Sequence, residues 1–146
     1  MNLYLDASAL LPLFIEEDRT GQAHESLRNN VLIISDVAIA EFSSGVARRA
    51  RLGEINDSGA AGVFAALDAW TLRATRREML TTGDVILAIS LVRRLELGLR
   101  APDAVNIAIA QRCDSADVRC KNGTIGAIGA IGAIGAIARN DRHRLT

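Results

Sequence analysis

The chain has 146 residues, 49% of them apolar, which is enough for one globular domain with a substantial core. Seventeen Lys and Arg balance seventeen Asp and Glu, so the net charge is zero, which excludes a strongly basic protein that coats nucleic acid but not an enzyme that cuts it. No apolar run is long enough to span a bilayer, and Cys113 and Cys120 are too few for a disulfide framework and lack metal-site pairing. The first residues carry no basic start and apolar segment of a secretory leader, so a cytoplasmic protein without membrane association is expected.

Residues 2–5 form a short apolar run ending at Asp6 and predict a buried strand. Residues 7–16 predict a helix that Pro12 begins or kinks, and residues 20–30 a polar amphipathic helix stopped by two asparagines. Residues 31–35 (Val-Leu-Ile-Ile-Ser) are β-branched and apolar on both faces, as in strands of a parallel sheet covered on each side. Asp36 is the expected N-cap of a helix running to Arg51, with Gly53 as terminator. Another helix is expected over residues 57–70, and residues 71–80 receive no firm assignment. Asp84 is read as the cap of a helix over residues 85–97. After a turn at residues 98–102, Asp103 opens a helix to Arg112 that is apolar almost all round and therefore buried. Strands alternating with helices imply an α/β fold built on a parallel sheet.

Three acids stand out in this pattern. Asp6 lies where the first strand runs out, and open parallel sheets bind ligands beyond their carboxyl ends. Glu41 sits between apolar residues one turn into a helix, and Asp103 opens the apolar helix. Each alone has an ordinary structural explanation as a loop acid, a partly exposed helix residue or a cap. Carboxylates brought together either take up protons or require a cation, and oxygen donors without Cys or His suit Mg²⁺ or Mn²⁺ rather than Zn²⁺. The arginines at 48, 49 and 51, at 73, 76 and 77, and at 93 and 94 suit phosphate, although a solvated helix face explains any one of them. His24 and His143 are read as surface residues.

Three segments carry a family resemblance. Leu3-Tyr4-Leu5-Asp6-Ala7-Ser8-Ala9-Leu10, Ser35-Asp36-Val37-Ala38-Ile39-Ala40-Glu41-Phe42 and Leu97-Gly98-Leu99-Arg100-Ala101-Pro102-Asp103-Ala104 resemble, in order and spacing, the acidic motifs of PIN-domain VapC toxins. The resemblance runs from residue 2 to about residue 112 and implies a three-layer α/β sandwich, a short parallel sheet flanked by helices. It implies that Asp6 and Asp103 bind Mg²⁺, with Mn²⁺ as a substitute, that Glu41 completes the acidic cluster directly or through water, and that Ser8 supports it. The implied reaction is hydrolysis of RNA phosphodiesters by a metal-activated water. The implied partners are an RNA substrate, a VapB-like antitoxin and a second copy of the chain. Asp84 falls at a position often acidic in this family, but capping explains it. A haloacid-dehalogenase-like phosphatase with Asp6 as nucleophile is disfavoured, because Ser8 stands where a second acid is needed.

Beyond residue 112 the resemblance fails. Where the family continues with a strand of the form Thr-Pro-Leu-Thr-Phe-Asp, residues 114–122 have poor strand character, and glycines recur at 123, 126, 129, 132 and 135. Glycine every third residue, without proline, fits neither a helix stripe nor a strand nor collagen. The expected organisation is a PIN domain over residues 1–120, its closing strand missing, and a low-complexity tail over residues 121–146. Read one base later, the degenerate codons of residues 114–122 permit Thr-Pro-Leu-Thr-Phe-Asp-Ala-Arg-Met, and the repeat permits Ala-Arg-Leu triplets. A frameshift near codon 113 would then have removed a fourth acid, for which Asp114 and Asp117 are poor replacements, and activity would be reduced or lost. The rival expectation is a non-catalytic PIN-like protein that only binds an antitoxin or another partner.

Overall fold

The computed structural model describes residues 2–15, 27, 29–113, 117–120 and 123–124. Their strands form one five-stranded sheet from β1 (Asn2–Leu5), β2 (Val31–Ser35), β3 (Thr75–Glu78), β4 (Asp117–Cys120) and β5 (Gly123–Thr124), in the order β3-β2-β1-β4-β5. The first four are mutually parallel, and β5 pairs antiparallel with β4. Five helices accompany them among the described residues: α1 (Ala7–Phe14), α2 (Asp36–Arg51), α3 (Asp57–Ala74), α4 (Thr82–Val92) and α5 (Ala101–Arg112).

Side chains alternate across a strand, so β1 and β2 feed two cores. Leu3, Leu5, Leu32 and Ile34 point to one face and pack with Leu10 and Leu13 of α1, Ala38, Phe42 and Val46 of α2, and Ala60 and Leu67 of α3. Phe14 sits edge-on to both Phe42 and Trp70, with centroids 5.7 and 5.5 Å apart, so three of the five aromatic residues make one cluster on this face. Tyr4 and Ile33 point the other way and meet Ile109, Ala110 and Cys113 of the α5 end. Ala104, Ile107 and Ala108 of α5 in turn cover Ala88 and Leu91 of α4. Helices on both faces of a parallel sheet give the three-layer α/β sandwich that the family resemblance implies.

The helices from Ala7 and Asp57 start where expected, and the other three starts differ by a residue or more. Ser35, not Asp36, caps α2 by accepting the Ala38 amide, and Asp36 is the first helical residue. Thr81 caps α4, and Asp84 is the third residue of a reciprocal capping box. Asp103 is likewise the third residue of α5, behind Pro102, with its Oδ2 3.3 Å from the Arg100 amide. The helix expected over 85–97 ends at Val92, followed by a 3₁₀ turn at Leu95–Leu97. Gly53 and Gly98 take φ of +74° and +60°, so both chain reversals need the left-handed region.

Two strands depart further from the sequence pattern. Residues 71–80 complete α3 and then form β3, an edge strand of polar residues, half-buried at Thr75 and Glu78 and exposed at Arg76 and Arg77, rather than an apolar run. The segment expected to lack a closing strand supplies β4, which pairs Asp117, Val118 and Arg119 with Leu3, Tyr4 and Leu5. Backbone pairing along β1 supports that strand without an apolar sequence of its own. Most of the helix expected over residues 20–30 and most of the tail lie outside the described residues.

Candidate active site

In a parallel sheet the strand carboxyl ends share one edge, and β1 delivers Asp6 there. The carboxylate caps α1: its Oδ1 accepts the Ser8 hydroxyl at 2.8 Å and the Ala9 amide at 2.9 Å. Burial pushes the Asp6 carboxyl up, the Ala9 and Ser8 bonds pull against it, and the negative charge of Asp103 adds to the rise; the net shift is upward. Asp6, expected to act with Asp103, is thus within electrostatic reach of the Asp103 charge. Asp103 itself is exposed at the start of α5.

Glu41 joins through a different contact. It is half-buried on α2, and its Oε2 accepts the Asn106 carboxamide N–H at 3.1 Å. Asn106 stands three residues after Asp103, one turn along α5, so a single side chain ties the Glu41 helix to the Asp103 helix. Its Nδ2 also donates to the Pro102 carbonyl at 3.0 Å, and its Oδ1 accepts from the Tyr4 hydroxyl at 2.7 Å. Tyr4 in turn meets the Ser35 hydroxyl, and all three polar residues are at most 6% exposed. Burial pushes the Tyr4 phenol up, the Ser35 bond opposes it, and the charges of Glu41 and Asp6 push it further, so the phenol stays protonated.

Tyr4, Ser35 and Asn106 were absent from the expected site. Asn106 had a readable signal: it is the one amide inside an otherwise apolar turn, and a buried amide needs hydrogen-bond partners. Tyr4 and Ser35 had none, because an apolar strand explains both.

Among the described residues no three His, Cys, Asp or Glu side chains lie close enough to enclose a metal ion by themselves. The donors suit an open site of another kind. They are all carboxylate oxygens, one is desolvated beside a like charge, and Mg²⁺ is commonly held by one or two carboxylates with water and phosphate completing its shell. Asp117 starts β4 opposite Leu3, at the sheet edge away from Asp6, so it does not take the place of a fourth acid. Asp114 lies outside the described residues.

Two of the arginine groups contain internal pairs. Arg77 binds Asp36 at 2.6 Å and Arg94 binds Glu96 at 2.8 Å, both near the surface. Arg76 binds Glu78 at 2.9 Å. Asp84 proves more than a cap, since Arg112 holds it with Nε 2.9 and 3.2 Å from its two oxygens, and that residue had not been singled out.

Several solved structures share this architecture. VapC20 of Mycobacterium tuberculosis, a toxin that cleaves the sarcin–ricin loop, is 20% identical with a TM-score of 0.64, over 81% of this chain and 88% of that one. VapBC2 of Rickettsia felis, solved with a fragment of promoter DNA, is 17% identical at TM-score 0.58 over 79% and 84%. FitAcB of Neisseria gonorrhoeae is 16% identical at 0.58 over 77% and 83%. At these identities the likeness speaks for the fold. No protein of curated function matches in sequence. The sequence profile of the PIN domain matches residues 3–118, from the start of β1 into β4. The chain belongs to the PIN-domain family.

Proposed function

We propose that the chain is a divalent-cation-dependent endoribonuclease of the VapC toxin type, restrained by a VapB-like antitoxin. The observation that carries this reading is the placement of Asp6 at the carboxyl end of the central strand, where it caps α1 and burial pushes its carboxyl up, with a smaller push from the charge of Asp103. Asp6 and Asp103 hold the cation, Mg²⁺ with Mn²⁺ as a substitute. Ser8 keeps one Asp6 oxygen occupied and so fixes its direction. Glu41 completes the acidic cluster, directly or through a bound water. A bound Mg²⁺ supplies a water of lowered pKa and offsets charge on the scissile phosphate. The antitoxin assignment draws on the family resemblance and on the two-component neighbours of similar fold, and a homodimer is implied by the resemblance alone.

A second reading is favoured by one observation: β4 brings no carboxylate to the Asp6 edge, because its Asp117 lies at the opposite end. A PIN-fold protein that binds an antitoxin without cutting RNA fits that defect. It also fits the proposal that residues from about 113 onward are read in a shifted frame, which codons incompatible with the Thr-Pro-Leu-Thr-Phe-Asp reading would dismiss.

RNA cleavage by the purified chain separates the two. The nuclease reading expects cleavage in Mg²⁺ or Mn²⁺ that EDTA stops and Asp6→Ala abolishes. Cleavage that persists in EDTA rejects the metal mechanism. A folded chain that binds antitoxin yet leaves RNA intact selects the second reading.

A further inference from the structure

We propose that Asn106 is a positioning residue for Glu41, fed by a one-way chain of buried hydrogen bonds that begins at the α2 N-terminus. The proposal rests on the divalent-cation reading of the site. Its direction follows from counting hydrogens. The Pro102 carbonyl can only accept, and so can an ionised Glu41, so the Asn106 edge facing both must be its NH₂ group. That leaves Oδ1 toward Tyr4, and a carbonyl oxygen obliges the Tyr4 hydroxyl to donate. Tyr4 has one hydrogen, so the Ser35 hydroxyl must donate to Tyr4, while Ser35 Oγ accepts the Ala38 amide at 3.0 Å. Every donor from Ala38 onward therefore points toward Glu41.

A reversed amide would set Oδ1 against two acceptors and leave the Tyr4 hydroxyl facing NH₂. With the residues of the chain buried, no solvent stands ready to repair that mismatch. The arrangement therefore commits one Glu41 oxygen, Oε2, to the protein. The Glu41 carboxylate has one oxygen anchored to the Asp103 helix and one left to face a cation or its water. The same amide spans from Pro102, the neighbour of Asp103, to Glu41, so it also fixes the register between α5 and α2 at the site.

The test uses the full chain and two readouts. The first is the Asn106 side-chain amide signal in the metal-free protein by ¹H–¹⁵N NMR, compared among wild type, Glu41→Gln and Tyr4→Phe. Both substitutions are expected to move it, the first by removing the charged acceptor and the second by removing the donor. The second is the Mn²⁺ dissociation constant. Asn106→Leu is expected to weaken it about tenfold and Tyr4→Phe about threefold, as for loss and loosening of one charge-assisted hydrogen bond. In a Glu41→Gln background Asn106→Leu should add nothing further, because its effect passes through Glu41.

An Asn106 signal indifferent to Glu41→Gln overturns the proposal, and so does an Asn106→Leu effect that simply adds to that of Glu41→Gln. If Asn106→Leu does not fold, Tyr4→Phe decides, and unchanged Mn²⁺ affinity in that variant counts against the chain. Wild-type protein that binds no Mn²⁺ while its Asn106 signal responds to Glu41→Gln defeats the metal reading and the positioning role with it, and leaves only the contact.

Discussion

Removing the Arg112 guanidinium tests what holds the site helix. Arg112 is the last residue of α5, the helix that carries Asp103 and Asn106. Its Nε bonds both Asp84 oxygens, its Nη1 reaches Glu78 at 3.0 Å and its Nη2 the Met79 carbonyl at 2.9 Å, so one side chain ties α5 to β3 and α4. Asp84 is 2% exposed. Burial alone would raise its carboxyl, but the Arg112 bonds and the amide and hydroxyl of Thr81 overcome this and hold it below the ordinary range. Breaking such a pair from one side costs about 3–5 kcal/mol, because the remaining charge stays buried. Asp84 keeps its Thr81 bonds and the Arg112 side chain is 35% exposed, which places Arg112→Met near the lower end, about 3 kcal/mol. For a chain of this size that lowers Tm by about 6–12 °C in circular-dichroism melting.

The control is Arg77→Met, which breaks an ion pair whose side chains are 58% and 37% exposed and should cost under about 1 kcal/mol. The depressed Asp84 carboxyl also sets a pH signature. Its contribution is present above the ordinary carboxylate range and lost as pH falls through the lowered value in the folded state. Stability of the wild type should therefore drop in acid more steeply than that of Arg112→Met. Equal losses for the two arginine variants, or a loss below about 1 kcal/mol for Arg112→Met, would refute the claim that this pair anchors α5.

Two more outcomes follow from the local chemistry. Asp6 titrates above its ordinary value in the fold, so ionising it opposes folding: its penalty is absent in acid and grows as pH rises through the raised value. Asp6→Asn keeps an oxygen for the Ser8 and Ala9 donors and should therefore raise the metal-free Tm at neutral pH with no gain in acid, while added Mg²⁺ stabilises only the wild type; a neutral-pH loss would contradict the desolvation argument. Gly98→Ala forces a side chain into a left-handed turn just ahead of α5 and should cost about 1 kcal/mol in urea titration, a neutral result showing that the turn relaxes freely.

The parts of this fold that were legible in the sequence are those where side-chain chemistry and backbone role coincide. The alternation of Leu3, Tyr4 and Leu5 and the run at Leu32, Ile33 and Ile34 name a doubly covered sheet because only such a sheet buries both faces. Edge strands carry no such obligation. Thr75–Glu78, at the sheet edge, pairs through its backbone while two arginines are exposed; Asp117–Cys120, between β1 and the two-residue β5, also pairs without an apolar run, so neither could be read from hydrophobicity. Caps at Ser35 and Thr81 were displaced to the neighbouring acids, because an acid suits the first turn as well as the cap. At the proposed site, Asp6, Glu41 and Asp103 were visible as acids in apolar stretches of sequence. The partners of Glu41 were not, since Tyr4 and Ser35 belong to strands whose burial already accounts for them.

Binding of Mn²⁺ by the full chain, measured by electron paramagnetic resonance for the wild type, Asp6→Ala and Asp103→Ala alongside circular dichroism, bears most directly on the claim that these acids form one cation site. The expected result is a single site in the wild type whose affinity falls at least about tenfold in each variant while the fold persists. Equal Mn²⁺ binding by all three folded proteins would contradict it.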